Sequence, residues 1–288
     1  MGSFLGHLLP GTLFLLVGLW HIFNCVLNYV SHPRTFKGRA WHPVPRVKGR
    51  LKYLELYIIM IGSFVDMCIE FLYSTHLTFI VDGALNPRHM NDFEHAAMLL
   101  MFFIFSVACF ISEATGLLPL PEGMLFILAG MAFTAECLLF YFHSTSHAGL
   151  EGRYHQLLVI LIGLCIAASA LGAAFRESFV VDILGGIAIT LQGTWFYETA
   201  FVLYGLKMPE GCRELPSGIV CDSPEQEMIG QSYANSTLSA HIITLLCGLV
   251  LFYALAARVW GHHDLYSSYS VSKDPSSQTE IDELSSQP

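Results

Sequence analysis

Seven long apolar runs constrain this chain more than any other feature of its sequence. They cover approximately residues 9–30, 51–74, 94–115, 122–143, 154–175, 178–204 and 237–260. Each is close to the length of about 20 residues that a helix needs to cross a bilayer. Because lipid offers backbone groups no hydrogen-bond partners, each run is expected to be an α-helix. The pattern therefore predicts an all-α polytopic membrane protein, a bundle of seven transmembrane helices.

The composition agrees with a membrane environment. Of the 288 residues, 54% are hydrophobic and 13% are charged, whereas a soluble domain carries about 25% charged residues. The net charge of −9 does not favour binding to nucleic acid. The lipid bilayer is the partner that the sequence predicts, and the sequence indicates neither protein partners nor an oligomeric state.

The end of the last apolar run divides the chain into two parts. Residues 1–261 are predicted to form the transmembrane domain. Residues 262–288 are acidic, rich in serine and almost free of aliphatic side chains. Such a composition cannot bury enough apolar surface to fold, so we expect a disordered cytosolic tail.

Basic residues are distributed unevenly between the loops. The loop after the first run carries a group of six, namely Arg34, Lys37, Arg39, Arg46, Lys48 and Arg50. Loops rich in Lys and Arg stay on the cytosolic side of a membrane. The sequence therefore predicts a lumenal or external N-terminus and, after seven crossings, a cytosolic C-terminus.

The segment between the last two runs, residues 205–236, is acidic and holds Cys212 and Cys221. In the predicted topology these cysteines face an oxidising compartment. They could close a disulfide or remain free thiols, and the sequence leaves both open. Residues 235–237 form an Asn-Ser-Thr glycosylation sequon on the same side, but its closeness to the final run leaves its occupancy open.

Several stretches carry a family resemblance. They are MGSFLGHLLPGTLFLLVGLW at the start, KYLEL before the second run, the stretch from Glu136 to His143, YHQLLV and LQGTWFYETAFVLY. In matching order over about residues 1–260, they resemble the transmembrane protein 45 family, also described as a domain of unknown function, and a plant-type member of it. The resemblance implies a multi-pass protein, often of Golgi or endolysosomal membranes, and the plasma membrane remains the alternative location. It implies no agreed activity and no catalytic residues.

Ionisable side chains inside the apolar runs require an explanation. Asp66, Glu70, Glu136 and Glu198 all lie within runs. A charged side chain at the centre of a membrane helix costs about 2.5–3.5 kcal/mol on insertion scales. These four must therefore be neutral, paired or close to water.

The predicted topology places most of these groups, together with several histidines, in the lumenal half of the bundle. Glu136 and His143 lie seven residues apart on one stripe of the fourth run, and His155 opens the fifth. His95 and His241 begin two other runs at the same depth. Neutral imidazoles with a carboxylate suit zinc, so we predict a candidate metal site of five residues: Glu136, His143, His155, His95 and His241.

Three interpretations of this polar layer remain open. Its members could hydrogen-bond between helices and only fix their packing. They could hold zinc in a metal-dependent membrane hydrolase, an interpretation that rests on layout, since seven-helix hydrolases with three-histidine zinc sites exist. They could instead relay protons or cations across the membrane. If neither metal nor transport is involved, a non-enzymatic scaffold that binds other membrane proteins is the remaining expectation.

Overall fold

The computed structural model describes residues 4–146, 149–205, 207–215 and 218–261, apart from the side chain of Ser146. The predicted disordered tail, residues 262–288, lies outside the described residues. His147, which forms an HxxxH pair with His143 in the sequence, also lies outside them.

Within the described residues, seven helical segments are long and apolar enough to cross a membrane. The predicted seven-helix fold is thereby confirmed. The helices are α1 Phe4–Ser31, α2 Leu54–Cys68, α3 Met90–Ala114, α4 Glu122–Ser146, α5 Gly149–Ala174, α6 Phe179–Leu203 and α7 Pro224–Trp260. A π-helical segment, Ile69–Ser74, continues α2, and short 3-10 turns span Pro33–Thr35, Gly49–Tyr53 and Pro87–His89.

Two small β-hairpins interrupt the helical pattern. Strands β1 (Ile80–Val81) and β2 (Ala84–Leu85) pair between α2 and α3. Strands β3 (Cys212–Leu215) and β4 (Gly218–Cys221) pair antiparallel between α6 and α7, with Cys212 opposite Cys221. These two cysteines form a disulfide, which settles the alternative that the sequence left open.

The bundle has two different ends. The hairpin end carries the start of α1, both β-hairpins and the connection between α4 and α5. The basic end carries the loop of residues 32–53 and the connections α3–α4 and α5–α6. This loop is tied to the bundle there, because Gly38 N donates to the Arg176 carbonyl (2.7 Å) and Tyr53 Oη donates to the Glu113 carbonyl (2.9 Å).

The seventh helix begins much earlier than the apolar pattern predicts, at Pro224 rather than near residue 237. Ser223 caps it by accepting from Gln226 N, and proline occupies its first position, which is where proline fits a helix best. The first turns are polar, so hydropathy alone does not detect them. Asn235 of the sequon lies inside this helix and accepts hydrogen bonds from the Arg153 guanidinium at 2.9 and 2.6 Å.

Helices α1 and α6 form the most extensive helix–helix contact among the described residues, and glycines allow a close approach. A Cβ atom on Gly18 would lie 2.5 Å from Thr190 N, and one on Gly193 would lie 2.4 Å from Leu15 N. Lipid tails are as apolar as the helix surfaces, so the hydrophobic effect does not drive membrane helices together. Small residues at the contact instead let the two backbones pack tightly. This contact matters for function because α1 and α6 carry ionisable residues at both ends of the bundle.

Candidate polar sites at the two ends of the bundle

A group of ionisable side chains gathers at the hairpin end from five helical segments. This hairpin-end cluster consists of His7 on α1, Glu70 on the π-helical segment, His95 on α3, His143 on α4 and His155 on α5. His7, His143 and His155 are at least 94% buried. The side chains of His95 and Glu70 are 25% and 14% exposed, so the cluster extends from the interior of the bundle toward its surface.

His7 and His155 contact each other through ring nitrogens in this cluster. Their Nε2 atoms lie 3.5 Å apart, and Nδ1 of His155 lies 2.8 Å from the carbonyl oxygen of Glu151. A carbonyl only accepts, so Nδ1 of His155 donates in this contact. Either Nε2 atom can be the donor between His7 and His155.

The contact chain continues from His155 across α4 and α3. The ring of His143 lies 4.8 Å from that of His155 between centroids, and 5.8 Å from that of His95. Nδ1 of His95 lies 3.7 Å from Oε2 of Glu70. Asp66, Glu70, His95 and His7 also line one small cavity of about 20 Å³, which is room for a water molecule.

Glu136, the first residue of the predicted metal set, lies apart from these histidines in the described structure. It is fully buried and accepts a hydrogen bond from Gln192 Nε2 at 2.6 Å. The Cys165 thiol donates in turn to Gln192 Oε1 at 3.3 Å. Glu136 therefore joins α4 to α5 and α6, as the packing interpretation expects.

His241 also lies apart from the cluster. Its Nδ1 is 3.2 Å from Thr194 Oγ1, and its Nε2 is 4.0 Å from Glu198 Oε2. The ring packs against Trp195, so His241 attaches α7 to α6. Of the five predicted residues, the structure brings His95, His143 and His155 together and places Glu136 and His241 elsewhere. That any of them holds a metal stays a prediction.

The basic end contains a second buried group of ionisable side chains, which the sequence did not predict. This basic-end cluster consists of His21 on α1, His42 in the loop, Glu55 on α2 and Asp182 on α6, each no more than 5% exposed. His21 Nε2 lies 3.2 Å from Asp182 Oδ1, and the His21 and His42 rings meet edge to face at 4.5 Å. Among the described residues, His21, His42 and Asp182 are the one set of three ligating side chains whose donor atoms all lie within 4.8 Å.

The loop is held firmly where it supplies His42. The His42 N–H donates to Glu55 Oε2 at 2.6 Å, and Trp20 Nε1 donates to the His42 carbonyl at 3.1 Å. Burial, and then the charge of His21, lower the pKa of the His42 imidazole from its ordinary value of 6.5 to about 3. The ring is therefore neutral at physiological pH.

A central cavity of about 100 Å³ extends from the basic-end cluster into the bundle. His21, Glu55 and Asp182 line its basic end, and apolar side chains make up most of its wall. Pro10 and Leu99 line both this cavity and the small one at the hairpin end. The two cavities are thus neighbours along the bundle.

Two signals in the sequence could have pointed to the basic-end cluster. His21 and Asp182 fall in the halves of their runs that the topology directs to the same end, and His42 lies in the loop that closes that end. The contact between α1 and α6 could not be predicted, because hydropathy does not say which helices are neighbours.

Comparison with known proteins agrees with this architecture. Residues 122–254 match a family of unknown function, DUF716. The match begins where α4 begins and ends within α7, so it includes His143, His155 and Asp182 but not His21 or His42. The chain is also similar to transmembrane epididymal protein 1A of Mus musculus, with 25% identity over 219 residues, covering 71% of this chain and 68% of that protein.

A rat protein matches this chain over the same length. Transmembrane epididymal protein 1 of Rattus norvegicus is 22% identical over 219 residues, with the same coverage of 71% and 68%. Together with the apolar helices, these matches support a multi-pass integral membrane protein that is similar over residues 122–254 to the DUF716 family. These matches do not test the resemblance to the transmembrane protein 45 family or to a plant-type member of it, so that resemblance stays a prediction.

Proposed function

We propose that this membrane protein provides a gated pathway for protons across the bilayer. The observation that carries the proposal is one stripe of α1. His7, Pro10, Phe14, Val17 and His21 follow each other at spacings of three and four residues, and all of them line the two neighbouring cavities. The stripe thus has a histidine at each end, separated by about 21 Å of helix.

The hairpin-end cluster has the composition and contacts of a proton relay. Its chain runs from Glu70 through His95, His143 and His155 to His7, with neighbouring groups in ring contact or within 3.7 Å of each other. Chains of carboxylates and histidines at membrane depth carry protons in pumps and transporters. The small cavity beside Asp66 and Glu70 would bring water to the start of the chain.

The apolar wall of the central cavity supports a gated pathway over an open one. Cavities lined by apolar groups stay dry, and hydrophobic constrictions close pores by dewetting. Protons would then cross the middle of the bundle only when water enters the cavity. At the far end, His21 with Asp182 and Glu55 would receive them.

The direction of the pathway follows from the predicted topology. Lys and Arg concentrate in the loop of residues 32–53 at the basic end, which favours a cytosolic location. The Cys212–Cys221 disulfide lies at the hairpin end, and disulfides persist in lumenal or extracellular compartments. We therefore assign the hairpin-end cluster to the lumenal or external side.

Proton flux into proteoliposomes tests the proposal. The purified chain is reconstituted with an internal pH-sensitive dye, and a potassium diffusion potential drives protons inward. We expect faster acidification than in empty liposomes and a loss of that flux in Glu70→Gln. A matched control is Asp92→Asn, because Asp92 also pairs with a histidine, His89, at the hairpin end but lies outside the relay. Parent flux equal to that of empty liposomes would overturn the proposal.

A metal site in the hairpin-end cluster is the second candidate function, and one distance favours it. Two nitrogen ligands of a four-coordinate zinc ion lie about 3.3 Å apart, close to the 3.5 Å between His7 and His155 Nε2. His143 and His95 lie near this pair, but among the described residues only His21, His42 and Asp182 bring three ligand atoms within 4.8 Å of one another, so a zinc-dependent hydrolase site here would require the histidine rings to move closer together. Elemental analysis of the parent and of His143→Ala distinguishes it from the relay: a lower zinc content in the variant favours the metal, and an equal zinc content in both proteins removes this candidate.

A further inference from the structure

We propose that His21, His42 and Asp182 form a binding site for a divalent transition-metal ion at the basic end of the bundle. The three ligands come from three separate parts of the chain, α1, the loop of residues 32–53 and α6. Their donor atoms already lie within 4.8 Å of one another, with His21 Nε2 and Asp182 Oδ1 at 3.2 Å. This site is distinct from the hairpin-end cluster and does not depend on the proton pathway.

Two buried atoms at this site have no hydrogen-bond partner among the described residues. They are Nε2 of His42 and Oδ2 of Asp182, and both residues are 4% exposed. Leaving a buried polar atom unsatisfied costs about 1–3 kcal/mol. One cation bound between the two side chains would satisfy both atoms, which a simple His21–Asp182 pair does not do.

The chemistry of the ligands selects the class of metal. Two imidazoles with one carboxylate suit Zn²⁺ and Fe²⁺, whereas Mg²⁺ and Ca²⁺ prefer oxygen ligands alone. Donor atoms around zinc lie about 3.3 Å apart, so His21 and Asp182 already have the required spacing. The other pairs would need to contract by up to about 1.5 Å.

The loop presents His42 in a way that suits a ligand. Both backbone groups of His42 are engaged, by Glu55 and by Trp20, so its position is set before any metal arrives. Gly38 permits the loop to close over the site, because a Cβ atom there would lie 2.9 Å from Asp182 Oδ1.

The open side of the site faces the central cavity. His21 and Asp182 line that cavity, so a metal held by three protein ligands would keep a coordination position toward it. Three protein ligands with one open position are typical of catalytic zinc sites, and four are typical of structural sites. The fourth position would be open to water or a small ligand.

Metal content of the full chain purified in detergent tests the site. The protein is stripped with a chelator, incubated with Zn²⁺ or Co²⁺, desalted and analysed for bound metal. We expect about one equivalent in the parent and its loss in His42→Ala and Asp182→Asn. His32→Ala is the matched control, because His32 lies in the same loop but is exposed, and it should retain the metal.

His143→Ala separates this site from the hairpin-end cluster and should also retain the metal. Zn²⁺ should raise the unfolding temperature of the parent and not that of His42→Ala. If the variants do not fold, the visible absorption of Co²⁺ in His143→Ala decides, because bands of a four-coordinate ion with nitrogen ligands support the site and their absence overturns it. No bound metal in the parent, or equal metal in the parent and in His42→Ala, would overturn it as well.

Discussion

The imidazoles of His7 and His155 hold their Nε2 atoms 3.5 Å apart, although 148 residues separate them in the chain. His7 lies on α1 and His155 on α5, so the contact exists only because both helices start at the hairpin end. The backbone carbonyl of Glu151 accepts from Nδ1 of His155. This pair is the last step of the proposed relay before the stripe of α1 that leads to the basic end.

Removing His155 should interrupt the relay. We expect His155→Ala to lower proton flux in proteoliposomes by roughly 10²-fold, a typical contribution of a positioned acid–base group. His76→Ala is the control, because His76 is exposed at the same end, and its flux should equal that of the parent. Parent-like flux in a folded His155→Ala protein would exclude His155 from the pathway.

The contact between Glu136 and Gln192 should contribute to stability and not to metal binding. Glu136→Gln keeps the volume of the side chain, so we expect the free energy of unfolding in detergent to change by less than about 1 kcal/mol. Gln192→Leu removes the donor to a fully buried carboxyl group and should cost about 1–3 kcal/mol. Metal loss in Glu136→Gln without a change in stability would instead return Glu136 to the predicted metal set.

The close contact of α1 with α6 should tolerate no added methyl group at Gly193. The new Cβ would lie 2.4 Å from the backbone nitrogen of Leu15, so the helices must separate, at a cost of about 1–3 kcal/mol. Gly163→Ala is the matched control, since a Cβ there meets nothing within 4 Å. Equal thermal stability of the two variants would show that α1 and α6 are not packed as described.

The metal site and the proton pathway share His21 and Asp182, so zinc should inhibit flux. We expect Zn²⁺ on the basic side of proteoliposomes to slow acidification in the parent. His42→Ala should relieve this inhibition while retaining flux without zinc, because His42 does not line the central cavity. Inhibition of equal strength in His42→Ala would argue that zinc acts elsewhere.

The predicted orientation is open to a direct measurement. An epitope tag at the C-terminus should bind antibody only after selective permeabilisation that exposes the cytosolic side. A tag at the N-terminus should then need access from the lumenal or external side. The reverse pattern would place the hairpin-end cluster and its disulfide in the cytosol and contradict the assigned direction of the pathway.

The sequence by itself determined how many helices cross the membrane and approximately where each lies. It succeeded because crossing a bilayer depends on the length and hydropathy of one segment at a time. The start of α7 escaped this reasoning, since its first turns are polar and are marked only by the Ser223 cap and Pro224. The disulfide between Cys212 and Cys221 could be anticipated from the sequence, because the two cysteines have a sequence separation of only 9.

Only the tertiary structure decided which polar groups meet. The i, i+7 spacing put Glu136 and His143 on one stripe of α4, yet Glu136 contacts Gln192 while His143 contacts His155. His21, His42 and Asp182 converge because Gly18 and Gly193 bring α1 against α6 and because the loop folds back over both. Hydropathy sets the depth of a residue in the membrane, but helix neighbours and rotations follow from packing between distant residues.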